Sequence, residues 1–505
     1  MFKNHPKGLL AASLANMGER FGFYVMMAIL SLFLMAKFGL EETTASVIYG
    51  TFYFCIYALA LVGGLIADKT KQYKNTIATG IVLMALGYAI IAIPTDTPVS
   101  NMKLMLGLTC FGLFVISFGN GLFKGNLQAL VGQMYDNEQY GKMRDTGFSL
   151  FYMFINVGAI FAPICAVAVR NWWVNLKGFN YNGDLPALCH RYLEGNLTGD
   201  AATRFNELAQ SVSQAGPVTD LTVFANEYLN VFNTGFHYAF AVAIIAMAIS
   251  FVVFMVNKKG FPDPANKVVN GAEAAKVVEM DAKEIKQRLY ALFAVFAVVI
   301  FFWFSFHQNG LTLTFFAQRY TLLKIGPWDI TPELFQSLNP FFVVFLTPIV
   351  ISVFGWLRAR GKEPSAPRKI AIGMGIAALA YVVMSIGSVG VPLYDEVEAM
   401  GGLPDAQRVT PFLLIGTYLI LTIAELFISP LGLSFVSKVS PPQYQGIMQG
   451  CWLGATALGN QLLFIGAIFY KSIPIWATWC VFVVACLVSM VAMLAMLKWL
   501  ERITK

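Results

Sequence analysis

Residues 8–38 read GLLAASLANMGERFGFYVMMAILSLFLMAKF. A helix crosses the hydrocarbon of a bilayer in about 20 apolar residues, so this run is long enough to span. Its middle carries Glu19 and Arg20 side by side. An ionisable group at that depth costs at least ~2.5–3.5 kcal/mol on insertion scales and marks a pathway or a paired site. Lys3 and Lys7 ahead of the run imitate a signal peptide. The two charges interrupt it and no small-residue cleavage site follows, so it reads as a retained first helix.

The pattern repeats along the chain. Apolar spans fall at 8–38, 46–67, 75–94, 104–132, 146–169, 235–256, 288–313, 334–356, 369–390, 409–436, 446–470 and 475–497, twelve in all. The fold class is therefore an all-α membrane protein. Two connections are longer than the rest. Residues 170–234 mix Trp172, Trp173, Pro186 and Pro217 with a helical stretch near 201–213 and are expected to form a small cap outside the membrane. Residues 257–287 are Lys-rich, with Pro262 and Pro264 and then an amphipathic run from about 272. They divide the chain into a first six-helix bundle (1–256), a linker (257–287) and a second bundle (288–505). That is the division a two-halved carrier needs, with its substrate at mid-depth between the halves.

Composition excludes several other classes. Of the 505 residues, 57% are hydrophobic and only 12% are charged, about half the charged share of a soluble domain. The net charge of +7 comes from basic residues in the connections, which argues for topology and against nucleic acid. With both termini placed in the cytoplasm, Lys and Arg on that side outnumber those on the other by more than two to one. Seven cysteines give no disulfide framework and no metal spacing; six lie in spans and only Cys189 lies in a polar loop. No nucleophile elbow, phosphate loop or metal-ligand cluster marks an enzyme, and no cofactor is expected.

Further charges stand inside spans. Lys124 lies late in span four, His307 late in span seven and Glu425 near the middle of span ten. With Glu19 and Arg20 they come from both halves, so they can meet in one cavity. An unperturbed imidazole exchanges a proton near neutrality, which makes His307 a candidate. Prolines stand beside polar side chains at Asn339-Pro340 and Ser429-Pro430, with Pro348 further along span eight. Such breaks are tolerated where a helix lines a cavity or the freed backbone is re-satisfied.

Six motifs in order then resemble the proton-dependent oligopeptide transporter family of the major facilitator superfamily. Span one has Asn16-Met-Gly-Glu19-Arg20-Phe21-Gly-Phe23-Tyr24, similar to E-x-x-E-R-F-x-Y-Y. Gly63-Gly64-Leu-Ile-Ala-Asp68-Lys69 resembles the superfamily loop motif. Phe123-Lys124-Gly125-Asn126 is similar to F-K-P-N, and Phe151-Tyr152-Met-Phe-Ile155-Asn156-Val-Gly158 matches F-Y-x-x-I-N-x-G. Ser337-Leu-Asn339-Pro340 and Glu425-Leu-Phe-Ile-Ser429-Pro430-Leu-Gly432-Leu-Ser434 complete the set.

The resemblance implies two six-helix bundles rocking around a central site that takes di- and tripeptides with protons, in the inner membrane, without an obligate protein partner. By resemblance, Asn156, Asn339 and Glu425 bind the peptide ammonium and Lys124 faces its carboxylate. Tyr24 and Tyr57 line the pocket, Trp452 shapes a side-chain pocket, and Ser429 and His307 join the substrate set. Glu19, Arg20, Lys124, His307 and Glu425 are the proton-coupling candidates. Three positions depart from the family. Asn16 replaces a signature Glu, Met27 a basic anchor, and His307 an acidic residue. A carrier of nitrate or another small organic solute of the same family is the alternative, favoured by His307 and opposed by the retained ammonium-binding set.

Overall fold

The computed structural model describes residues 5–70, 72–135, 139–140, 144–262, 281–441 and 445–504. Among the described residues, twelve helices are long and apolar enough to cross a membrane. The first six spans are α1 (Gly8–Phe38), α2 (Glu42–Thr70), α3 (Tyr73–Ala92), α4 (Met102–Met134), α5 (Arg144–Leu176) and, after two short helices α6 (Leu185–Leu193) and α7 (Asp200–Val212), α8 (Leu221–Asn257). The other six begin with α9 (Ala282–Phe306), which continues through a 3-10 turn, His307–Gly310, into α10 (Thr312–Tyr320). Next come α11 (Leu338–Ala359), α12 (Ala366–Gly387), the short α13 (Tyr394–Ala399) and α14 (Pro411–Val439). Then α15 (Gln445–Gln461) and α16 (Phe464–Ser472) together make one span, and α17 (Ile475–Thr504) closes the set. Strands β1 (Lys324–Ile325) and β2 (Trp328–Asp329) pair in a small hairpin beside α10.

Helices α1–α5 and α8 pack among themselves, as do α9–α12 and α14–α17. Within the first set, glycines permit the closest approaches. A Cβ on Gly63 of α2 would fall 2.0 Å from the Gly121 carbonyl oxygen of α4, so any side chain there would force the helices apart. Small residues serve this way in membranes because packing, not water exclusion, drives helix association. Large apolar side chains such as Leu65, Phe345 and Val256 remain exposed on the outside of the bundles, where lipid is the expected solvent.

An even number of spans puts both ends of the chain on one side. We call that side the terminal end and the other, which carries α6 and α7, the cap end. The structure shifts several expected boundaries. Span six starts at Leu221 rather than 235, because Asp220 caps it by accepting from the Thr222 and Val223 amides at 2.8 and 3.1 Å. Span seven runs past 313 to Tyr320 and breaks at His307–Gly310. The helix expected near 201–213 is α7, whereas α6 was not anticipated. The amphipathic run from about 272 lies outside the described residues.

Candidate functional site

Glu425 sits half-buried on α14. Asn339, in the first turn of α11, donates to its Oε2 at 2.8 Å and to the Thr422 hydroxyl at 3.1 Å. Thr422 stands three residues before Glu425, so one asparagine reads a single face of α14. Glu425 also lies within electrostatic reach of the phenols of Tyr24 and Tyr57 and of Tyr152, from α1, α2 and α5 of the opposite half.

Lys124 approaches from the other side. Its ammonium lies 4.2 Å from the centre of the Tyr57 ring, a cation–π contact across α4 and α2. Its charged neighbours are Arg20 and Glu19. Tyr57 thus touches a cation of the first half and lies within electrostatic reach of an anion of the second. Asn156, one turn past Tyr152 on α5, turns its amide back to the Tyr152 carbonyl at 3.2 Å. Close by, the Ser337 hydroxyl donates to the Ile160 carbonyl at 3.0 Å and ties α5 to the start of α11. Ser429 is half-buried one turn beyond Glu425.

Glu19 and Arg20 form a buried two-armed pair within α1, at 2.5 Å through Nε and 2.6 Å through Nη2. Asn120 of α4 also donates to Glu19. Sequence reading missed Asn120; it lies one turn before Lys124 and therefore shares its face. His307, in the turn between α9 and α10, bonds Asn460 of α15 at 2.5 Å. It stacks on Trp303 at 4.9 Å and meets the Tyr53 ring of α2 at 4.8 Å. It is a joint between the halves as well as a titratable group. Trp452 is only 3% exposed. Its indole fills the space over Gly432, and its ring meets Phe296 edge-on at 6.2 Å. It therefore packs inside the second half and offers little surface to a ligand.

The cap end is closed by cross-half ion pairs. Glu42 of α2 takes Arg319 of α10 (Nε at 2.9 Å) and the Tyr394 hydroxyl at 2.7 Å. Burial raises the Tyr394 phenol above its ordinary range, so it stays a donor even beside Arg319, which pulls the other way. Arg170 of α5 pairs with Glu333 ahead of α11, both side chains wholly buried. Lys471 of α16 reaches Glu41 at 2.9 Å. A Cβ on Gly50 of α2 would fall 2.8 Å from the Asn460 carbonyl, so these helices touch through backbone. Nearer the terminal end, the pairs Arg288–Glu284 and Lys369–Glu363 each lie within the second half.

The profile of the POT family matches residues 74–267 and 263–475, most of the chain. The chain belongs to the POT family. Among curated relatives, this POT-family chain is 29% identical over 474 residues to the peptide transporter YePEPT of Yersinia enterocolitica, covering 91% of this chain and 87% of that one. It is 26% identical over 469 residues to the dipeptide and tripeptide permease A of Escherichia coli, covering 90% and 82%. A solved structure of the peptide transporter POT with sulfate superposes with a TM-score of 0.74 at 23% identity, over 100% of this chain and 96% of that one. A POT-family transporter with 5-aminolevulinic acid gives 0.72 at 20% identity, over 100% and 98%. The POT-family fold of this chain is thus the major facilitator arrangement, with twelve spans in two sets of six.

Proposed function

We propose that this chain imports di- and tripeptides across the inner membrane by alternating access, coupled to protons. The observation that carries the reading is that Lys124 of one half and Glu425 of the other both act on Tyr57, the first by contact and the second within electrostatic reach. A peptide carries an ammonium and a carboxylate a few ångströms apart. Glu425, steadied by Asn339, offers the anion; Lys124 offers the cation; Tyr24, Tyr57 and Asn156 supply hydrogen bonds to the backbone between. Recognition of the ends and backbone leaves side chains free, which supports broad selectivity. The cap end faces outward and both termini face the cytoplasm, following the distribution of Lys and Arg. The halves 1–256 and 288–505 move as bodies about this site.

Glu19, Arg20, Lys124, His307 and Glu425 are the groups proposed to carry or relay the proton. Three carboxylate or basic positions of the family are absent at Asn16, Met27 and His307, so the load falls on those that remain. A thermal-shift screen of purified protein tests the substrate. Di- and tripeptides with free termini should stabilise it, and the same peptides acetylated and amidated should not. Equal shifts for both would defeat the reading, and selective stabilisation by nitrate would replace it. Uptake into liposomes with and without an inward proton gradient tests the coupling; equal accumulation would remove it.

A further inference from the structure

The cap is built into one half and holds on to the other. Toward the first half, the Asn182 amide donates to the Tyr228 hydroxyl of α8 at 2.9 Å. His190 Nε2 donates to the Ala36 carbonyl of α1 at 2.8 Å. Phe205 of α7 stands against Tyr192 at 4.9 Å and Phe224 of α8 at 6.1 Å. These contacts, with Phe205 and Phe224 buried, fix the cap to α1 and α8, so it moves with them.

Its other face meets the connection between α12 and α14. Arg408 reaches Asp184 of the cap at 2.9 Å, and its own position is set by the carbonyls of Leu403 and Gln318, each at 2.9 Å. Arg191 of α6 donates to the Glu398 carbonyl at 2.9 Å, and Gln318 to the Gly183 carbonyl at 2.8 Å. Between these bonds sits the turn Gly401-Gly402, at φ +73° and +117°. A Cβ on Gly402 would fall 2.9 Å from Asp184 Oδ2, and one on Gly401 3.2 Å from the Ala201 Cα. Both the backbone conformation and the closeness of α6 and α7 thus call for glycine. The turn is shaped to the cap.

None of these residues belongs to the central site, and the contact stands outside the Glu42–Arg319 closure. A cavity of about 150 Å³ lined by Glu42, Arg191, Arg319, Tyr394 and Lys471 lies between the two layers. The geometry points to a clasp: the cap, carried by the first half, grips the Gly401-Gly402 turn of the second, and its release governs how readily the cap end opens. This rests on the alternating-access reading, because a cap end that never opens needs no clasp.

Genetically encoded spin labels at Asn206 and Val389 of the full chain in lipid, which leave the seven native cysteines alone, report the separation of cap and second half. The unaltered protein should give one short distance. Asp184→Ala removes one charge-assisted bond and should raise the share of longer distances roughly tenfold. Gly402→Val, which also drives a side chain into Asp184, should raise it further. Distributions unchanged in Asp184→Ala would overturn the clasp, whether or not Gly402→Val folds. Peptide binding measured on the same samples separates the two readings. Longer distances without peptide binding in any sample uphold the clasp and sink the substrate assignment; binding with unchanged distances does the reverse.

Discussion

Arg170 and Glu333 meet across the boundary between the halves with neither side chain exposed to solvent. Arg170 also lies 4.2 Å from the Tyr181 ring of the cap. Removing one member of a buried pair strands the other charge, at a cost of about 3–5 kcal/mol, whereas replacing both by apolar groups is often neutral. Arg170→Met and Glu333→Leu should each lower the melting temperature in detergent, and the double variant should recover most of the loss. A double variant no more stable than either single one would show that the ion pair is not what holds this joint.

Glu425→Gln keeps an oxygen to accept from Asn339, so the fold of α11 against α14 should survive. The charge that attracts the ammonium is lost. A hydrogen bond to a charged group is worth about 1.5–3 kcal/mol, so dipeptide affinity measured by calorimetry should fall roughly 10- to 100-fold. Unchanged affinity would place the ammonium elsewhere.

Lys124→Met keeps the stem beside Tyr57 and removes the cation. It should weaken free-acid dipeptides roughly tenfold or more and leave their C-terminal amides untouched. In the unaltered protein the amide should bind as weakly as the acid binds the variant. An amide that loses affinity in the variant as much as the acid does would argue that Lys124 serves packing alone.

Gly50→Val inserts a branched side chain where a Cβ alone would lie 2.8 Å from the Asn460 carbonyl. It should prise α2 from α15 and open the cap end. Amide hydrogen exchange in residues 314–337 should quicken while exchange in α3 and α12 stays slow. Uniform exchange across the protein would show general loosening instead.

The spans and the charged positions were legible because hydropathy and intramembrane charge are local signals. Glu19 with Arg20, Lys124 and Glu425 were each visible as an ion in an apolar run. The breaks were less so: His307–Gly310 interrupts a span with no proline to mark it. Partnerships across the halves were not legible. Glu42 and Arg319 are 277 residues apart, and Arg170 and Glu333 are 163 apart. Nothing periodic links such positions, and Arg170 and Arg319 read simply as basic residues of the outer connections. Nor was the fit of Trp452 legible, since the hollow that its indole fills is left by Gly432 of a different helix.

In the proposed orientation, with the cap outward, the paired layers from Asp184–Arg408 down to Tyr53–His307 shut the route from the medium. A competitive blocker added to whole cells must therefore wait for a rare opening, whereas the same compound added to inside-out vesicles meets the resting conformation directly. Its onset should be slow in the first preparation and immediate in the second, at equal final occupancy.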